Sequence, residues 1–68
     1  MITVKIAKLG QAVTTVTVPE GSTLEFALEE SGMSVDRDQL RLNGAAVESS
    51  TLVENGDVAT LIPAIKGG

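Results

Sequence analysis

The chain has 68 residues, nine acids against five bases for a formal charge of −4, and neither cysteine nor histidine. That length allows one thin-cored domain, and the missing residue types exclude a disulfide framework, thiolate or imidazole metal ligation and histidine general-base catalysis. The acidic balance argues against nucleic acid or an anionic membrane as the main partner, because phosphate binding needs clustered Lys and Arg, and it favours a basic protein partner.

Apolar residues make up 43% and charged residues 21%, close to the soluble average. No apolar run approaches the ~20 residues that span a bilayer, and Met1-Ile2-Thr3-Val4-Lys5 lacks the apolar stretch of a signal peptide. The expectation is a soluble, cytoplasmic protein, and the absence of cysteine fits a reducing compartment.

Ile2, Val4 and Ile6 alternate with Thr3, Lys5 and Ala7, so residues 2–6 read as a half-buried strand. Leu9-Gly10 breaks it, and residues 11–18 are rich in β-branched types, so they read as a second, antiparallel strand. Pro19-Glu20-Gly21 ends this hairpin. Ser22-Thr23-Leu24-Glu25 then spells a capping box, with Ser22 as cap and Glu25 reaching back. A helix is expected over residues 23–31, with Leu24, Ala27 and Leu28 as its buried stripe and Gly32 as a left-handed C-cap. So short a helix does not hold alone in water and must dock on a sheet.

Leu40 and Leu42 flank Arg41 in a third strand, Asn43-Gly44 is a tight-turn signal, and Ala45-Ala46-Val47 gives a short fourth strand. Residues 48–57 read as a polar segment with a turn at Asn55-Gly56-Asp57. Val58–Ile62 is a continuous β-rich run and reads as a buried central strand ended by Pro63. A hairpin, a crossing helix and further strands make the β-grasp arrangement. The fold class is therefore α+β, a mixed sheet of four to five strands with one helix packed across it. The last strand pairs parallel with the first, residues 58–62 against 2–6.

Paired carboxylates such as Glu29-Glu30 and Asp36/Asp38 read as solvated surface acids, and the glycines form no phosphate loop. The chain has no catalytic residues of its own in this reading, and no metal or cofactor is expected on it. The unusual feature is Gly67-Gly68. Two residues without side chains make a thin strand able to thread a narrow channel, although by themselves they more often mark a frayed terminus.

Set beside the arrangement of strands, the segment from Val53-Glu54-Asn55-Gly56-Asp57-Val58 through Leu61-Ile62-Pro63-Ala64-Ile65-Lys66-Gly67-Gly68 resembles the ubiquitin-like sulfur-carrier and small-modifier family. That family includes the molybdopterin synthase small subunit, the thiamine-biosynthesis sulfur carrier and the small archaeal modifiers. Leu42-Asn43-Gly44 and Ser22-Thr23-Leu24 are also similar. Pro63-Ala64 stands where the molybdopterin member often has two prolines, and Lys66 precedes the glycines as in some archaeal modifiers.

The resemblance implies a ubiquitin-like β-grasp domain over residues 1–64 and a flexible di-glycine tail over 65–68. It implies that an adenylating enzyme, related to ubiquitin-activating proteins and using ATP and Mg²⁺, activates the Gly68 carboxylate. Gly67, Lys66 and Ile65 would thread into that enzyme. The activated acyl group would become a thiocarboxylate for a sulfur-acceptor enzyme, or an isopeptide on a target-protein lysine. This chain would then be a substrate and carrier, not an enzyme, and a monomer when free.

Counting back from the tail, Leu61 and Ala59 face inward. Ile62 faces away from the helix and joins Thr60 and Arg41 in a patch for partner docking. Phe26, the single aromatic, lies off the helix stripe and is a second docking candidate. Lys5, Lys8 and Lys66 could accept an isopeptide or serve only solubility. The alternative function is a non-covalent β-grasp interaction module with an idle tail.

Overall fold

The structure, a computed structural model, describes residues 1–33 and 38–63. In chain order the elements are β1 (Ile2–Lys8), β2 (Thr14–Val18), α1 (Leu24–Ser31), β3 (Gln39–Leu42), β4 (Ala45–Ala46) and β5 (Val58–Ile62). They form one five-stranded mixed sheet in the order β2-β1-β5-β3-β4, with α1 packed chiefly on β2 and in part on β1.

The alternation in β1 works as the sequence implies. Ile2, Val4 and Ile6 are buried, while Thr3 and Lys5 are exposed. They meet Val16 and Val18 of β2, Leu24, Ala27 and Leu28 of α1, and Ala59 and Leu61 of β5 in one core. Leu40, Leu42, Met33 and Val47 pack around it.

Parallel pairing of β1 with β5 is present, but in a different register. Residues 5–8 of β1 lie against 58–61, from Lys5↔Val58 to Lys8↔Leu61. The first half of β1 is held by the turn before β5 instead. Asn55 Oδ1 accepts from the Thr3 N–H at 2.9 Å, Gly56 N–H donates to the Thr3 carbonyl at 2.8 Å, and Lys5 N–H donates to the Asp57 carbonyl at 3.0 Å. The turn thus satisfies backbone groups that a longer strand would otherwise pair.

Three further expectations are corrected. β2 begins at Thr14, not residue 11, because Gln11 N–H closes a turn onto the Lys8 carbonyl at 2.9 Å. β5 is central but not buried on both faces: only Ala59 and Leu61 are buried, in strict alternation with half-buried or exposed neighbours. The segment 48–57 is not wholly polar in role, since Val53 is 3% exposed and belongs to the core.

The helix start is also one residue later than the capping box places it. Thr23 is the N-cap, its Oγ1 accepting from Phe26 N–H at 3.2 Å, while Ser22 Oγ donates to the Pro19 carbonyl at 2.6 Å. The early helical N–H groups of Leu24 and Glu25 donate to the carbonyls of Thr51 (2.7 Å) and Ser49 (3.0 Å). A tertiary strap therefore does the work expected of Ser22, and with Val53 N–H on the Ser22 carbonyl it ties the helix start to the 49–53 segment. Gly32 caps the other end as expected, at φ 71°, with its N–H on the Glu29 carbonyl.

The Asn43-Gly44 turn has both residues at positive φ, 52° and 88°, which suits a two-residue hairpin between β3 and β4. Asn43 does more than turn the chain. Its side chain accepts from Val58 N–H at 3.0 Å and donates to Asp57 Oδ1 at 2.9 Å, and Asp57 Oδ2 accepts from Glu54 N–H at 2.8 Å. This fixes the start of β5 against the β3–β4 turn.

Replacing the true cap should matter more than replacing its neighbour. Thr23→Ala is expected to lower unfolding free energy by about 1 kcal/mol, with Ser22→Ala costing less, as read by urea denaturation. Equal or reversed losses would return the cap to Ser22.

Candidate functional site

A sheet with its helix on one face leaves the other face open. Strand register decides what that face carries. Ala59, Leu61 and Leu40 point to the core, so Val58, Thr60, Ile62 and Arg41 lie on the opposite side. Arg41 pairs with Thr60, Thr60 also pairs with Ala7, and Gln39 pairs with Ile62. Thr3, Lys5, Thr15 and Thr17 complete the face on β1 and β2.

The structure therefore brings together Ile62, Thr60 and Arg41. All three are half-buried, and Ile62 is not among the residues packed on the core. Phe26 does not join them. It sits on α1, across the sheet from this face, and is 38% exposed. No single flat partner surface can touch both. The tail residues Ile65, Lys66, Gly67 and Gly68 lie outside the described residues, as do Asp36 and the boundary at residue 64.

Two apolar side chains near the sheet exit were not singled out from the sequence. Because β1 and β5 run parallel, the β1–β2 loop and the end of β5 lie at the same end of the sheet. Leu9 N–H donates to the Leu61 carbonyl at 3.3 Å. Leu9 is 73% exposed and Val13 59% exposed, so this loop presents apolar surface at the end of the sheet where β5 finishes. Leu9-Gly10, a large apolar residue directly before a turn glycine, carries a signal for this, whereas Val13 has the composition of a strand residue but lies before β2.

The electrostatics of the open face oppose the overall charge. Lys5 and Arg41 lie on it, and among the described residues no carboxylate does. The acids are on α1 (Glu25, Glu29, Glu30) and in the loops (Glu20, Asp38, Glu48, Glu54, Asp57). Arg41 Nε is buried and lacks a hydrogen-bond partner among the described residues, which leaves that one N–H without an acceptor. The sign of this face is thus the reverse of the net charge. Lys8 is different: it pairs with Leu61 on the helix side, and its Nζ lies 3.0 Å from Asp38 Oδ2 with both side chains largely buried.

Among the described residues, no group of three or more His, Cys, Asp or Glu side chains could hold a metal ion, and no helix is long and apolar enough to cross a membrane. The recesses are open grooves rather than enclosed cavities. One, of about 370 Å³, runs between α1 and β3 beside Leu28, Met33 and Leu40, with Glu25 and Glu29 at its rim. It contains no constellation of acid, base and nucleophile.

No family model and no curated protein matches the sequence. The structure, however, is similar to a chain in the protein–protein complex of subunits 1 and 2 of molybdopterin-converting factor from Helicobacter pylori 26695. The TM-score is 0.66 over 98% of this chain and 100% of that one, at 19% identity. The fold is a ubiquitin-like β-grasp. At that identity the likeness is one of architecture, and it extends over both chains from end to end.

The β-grasp register makes opposite demands on two adjacent residues. Ile62→Asp should retain the fold, with a loss of less than about 1 kcal/mol. Leu61→Asp, which buries a charge in the core, should abolish cooperative thermal unfolding. Comparable stability of the two variants by circular dichroism would mean that the faces have been exchanged.

Proposed function

We propose that this chain is a ubiquitin-like sulfur carrier or protein modifier, activated at the carboxylate of Gly68 by a separate ATP-dependent adenylating enzyme. The observation that carries the reading is the path of β5. The strand runs through the middle of the sheet and delivers Ile62 and Pro63 to one end, beside an uncovered face and the apolar Leu9/Val13 loop. The similar fold of a chain from a two-subunit molybdopterin-converting factor supports it, as does the Gly67-Gly68 sequence.

The chemistry follows from the carboxylate. An ionised carboxylate is a poor acyl donor because its leaving group would be oxide. Attack of a Gly68 carboxylate oxygen on the α-phosphorus of ATP forms the acyl-adenylate and releases pyrophosphate, with Mg²⁺ on the phosphates. A hydrosulfide equivalent can then displace AMP to give the thiocarboxylate. Alternatively a lysine amine displaces AMP, loses a proton and forms an isopeptide. The chain has no histidine or cysteine, so the activating groups belong to the enzyme. Gly67 keeps the backbone narrow at the point of entry, and Lys66 and Ile65 occupy the approach.

Docking rests on Ile62, Thr60 and Arg41, with Leu9 and Val13 extending the apolar area. Ile62 supplies the apolar anchor and Arg41 a guanidinium for a partner carboxylate. Phe26 lies on the other side of the sheet and would serve a different contact.

Two measurements test the reading. Ile62→Asp and Arg41→Glu should each weaken binding to the cognate activating enzyme at least ~10-fold, or about 1.4 kcal/mol, in titration calorimetry. Unchanged affinity would remove this face from the docking site. Gly67→Val should block adenylation with Gly68 still in place. Where products form, a Gly-Gly remnant left on target lysines by trypsin marks conjugation, and oxygen replaced by sulfur in the intact mass marks sulfur carriage. Formation of neither product in the presence of enzyme, ATP, sulfur donor and cell extract would favour a non-covalent module instead.

A further inference from the structure

Among the described residues, the sheet has one long uncovered edge. β2 is its terminal strand, and among the described residues the backbone of Thr14–Val18 makes no hydrogen bond beyond its pairing with β1. Free edges of this kind are usually guarded by lysine, proline, a bulge or a covering loop. Thr14-Thr15-Val16-Thr17-Val18 contains no charge and no proline, and its register with β1 is unbroken over five pairs. The opposite edge, β4, is only two residues long, which is itself a protection.

We propose that two copies of this chain associate through antiparallel pairing of their β2 strands. The occupant is argued from self-complementarity. A two-fold axis at Val16 sets Val16 against its mate and Thr15 against Thr17 twice, with Thr14 against Val18. Threonine pairs occupy the open face, and valines continue the core face. No like charges meet across the seam, as an isologous interface requires.

The seam is short and each chain carries a charge of −4, so the association is weak and transient. The chain is monomeric at micromolar concentration and paired near millimolar, and salt strengthens the pairing by screening the acidic helices. The dimer leaves β5 and Ile62 uncovered, two strands from the seam. The pairing makes no use of Gly68, so it is independent of the tail chemistry.

Sedimentation equilibrium of the full chain, from micromolar to millimolar and at low and high salt, tests this. The apparent mass should rise from 7.0 kDa towards twice that value. The Thr15→Lys/Thr17→Lys variant, which opposes lysines across the seam, should stay monomeric while keeping the wild-type circular dichroism spectrum. The Thr15→Glu/Thr17→Lys variant, which opposes unlike charges, should restore pairing. A wild-type chain that remains at monomer mass at millimolar concentration overturns the proposal. So does association that survives the two lysines or is not restored by the charge-complementary pair.

Discussion

Parallel pairing of β1 with β5 is the constraint on which the rest of the structure depends. Parallel neighbours cannot be joined by a tight turn, so a long connection must separate them. β2, α1 and the β3–β4 hairpin lie in that connection. The pairing also fixes which ends coincide. The β1–β2 loop and the exit from β5 share one end of the sheet, and the Leu9–Leu61 hydrogen bond records this. Because the helix covers one face only, the same strand that fills the core with Ala59 and Leu61 exposes Thr60 and Ile62 on the other. Core and candidate surface are two faces of one alternation.

The pairing in turn depends on polar contacts outside the strands. Asn55, Gly56 and Asp57 hold the first half of β1, and Asn43 with Asp57 fixes where β5 begins. A shift of one residue here would turn Leu61 outward and Ile62 inward. The 49–53 strap has a similar role for α1, since it occupies the N–H groups of the first turn and brings Val53 into the core. So small a domain gains its order from few apolar side chains, and these turns settle how they align.

Much of this was legible in the residues. Period-two alternation located β1, the Leu24/Ala27/Leu28 spacing gave the helix face, and Gly32 and Asn43-Gly44 marked their turns. What escaped was decided by tertiary contacts. Ser22 and Thr23 are equally good caps by type, and only the strap from Ser49 and Thr51 selects Thr23. Val13 looks like strand by composition, but the turn closed by Gln11 excludes it. The β1–β5 register depends on the 55–57 turn, whose bonds have no local signature. At the candidate site, Ile62, Thr60 and Arg41 could be set on one face by counting, whereas the exposed Leu9 and Val13 needed the parallel topology. Net charge does not describe the open face, because it sums over surfaces that the fold keeps apart.

On the proposed function, the molecule is a platform that would present one acyl group to an enzyme carrying all the reactive chemistry. The open face, poor in acid and centred on Arg41, Thr60 and Ile62, is the surface by which it would be held. ATP–pyrophosphate exchange by the cognate activating enzyme tests this most directly, because exchange requires only reversible formation of the acyl-adenylate. The chain ending at Gly68 should support exchange that saturates with its concentration, and the chain lacking Gly68 should support none. Exchange that is equal with both chains, or absent with both while the enzyme exchanges with a known substrate, would contradict the account.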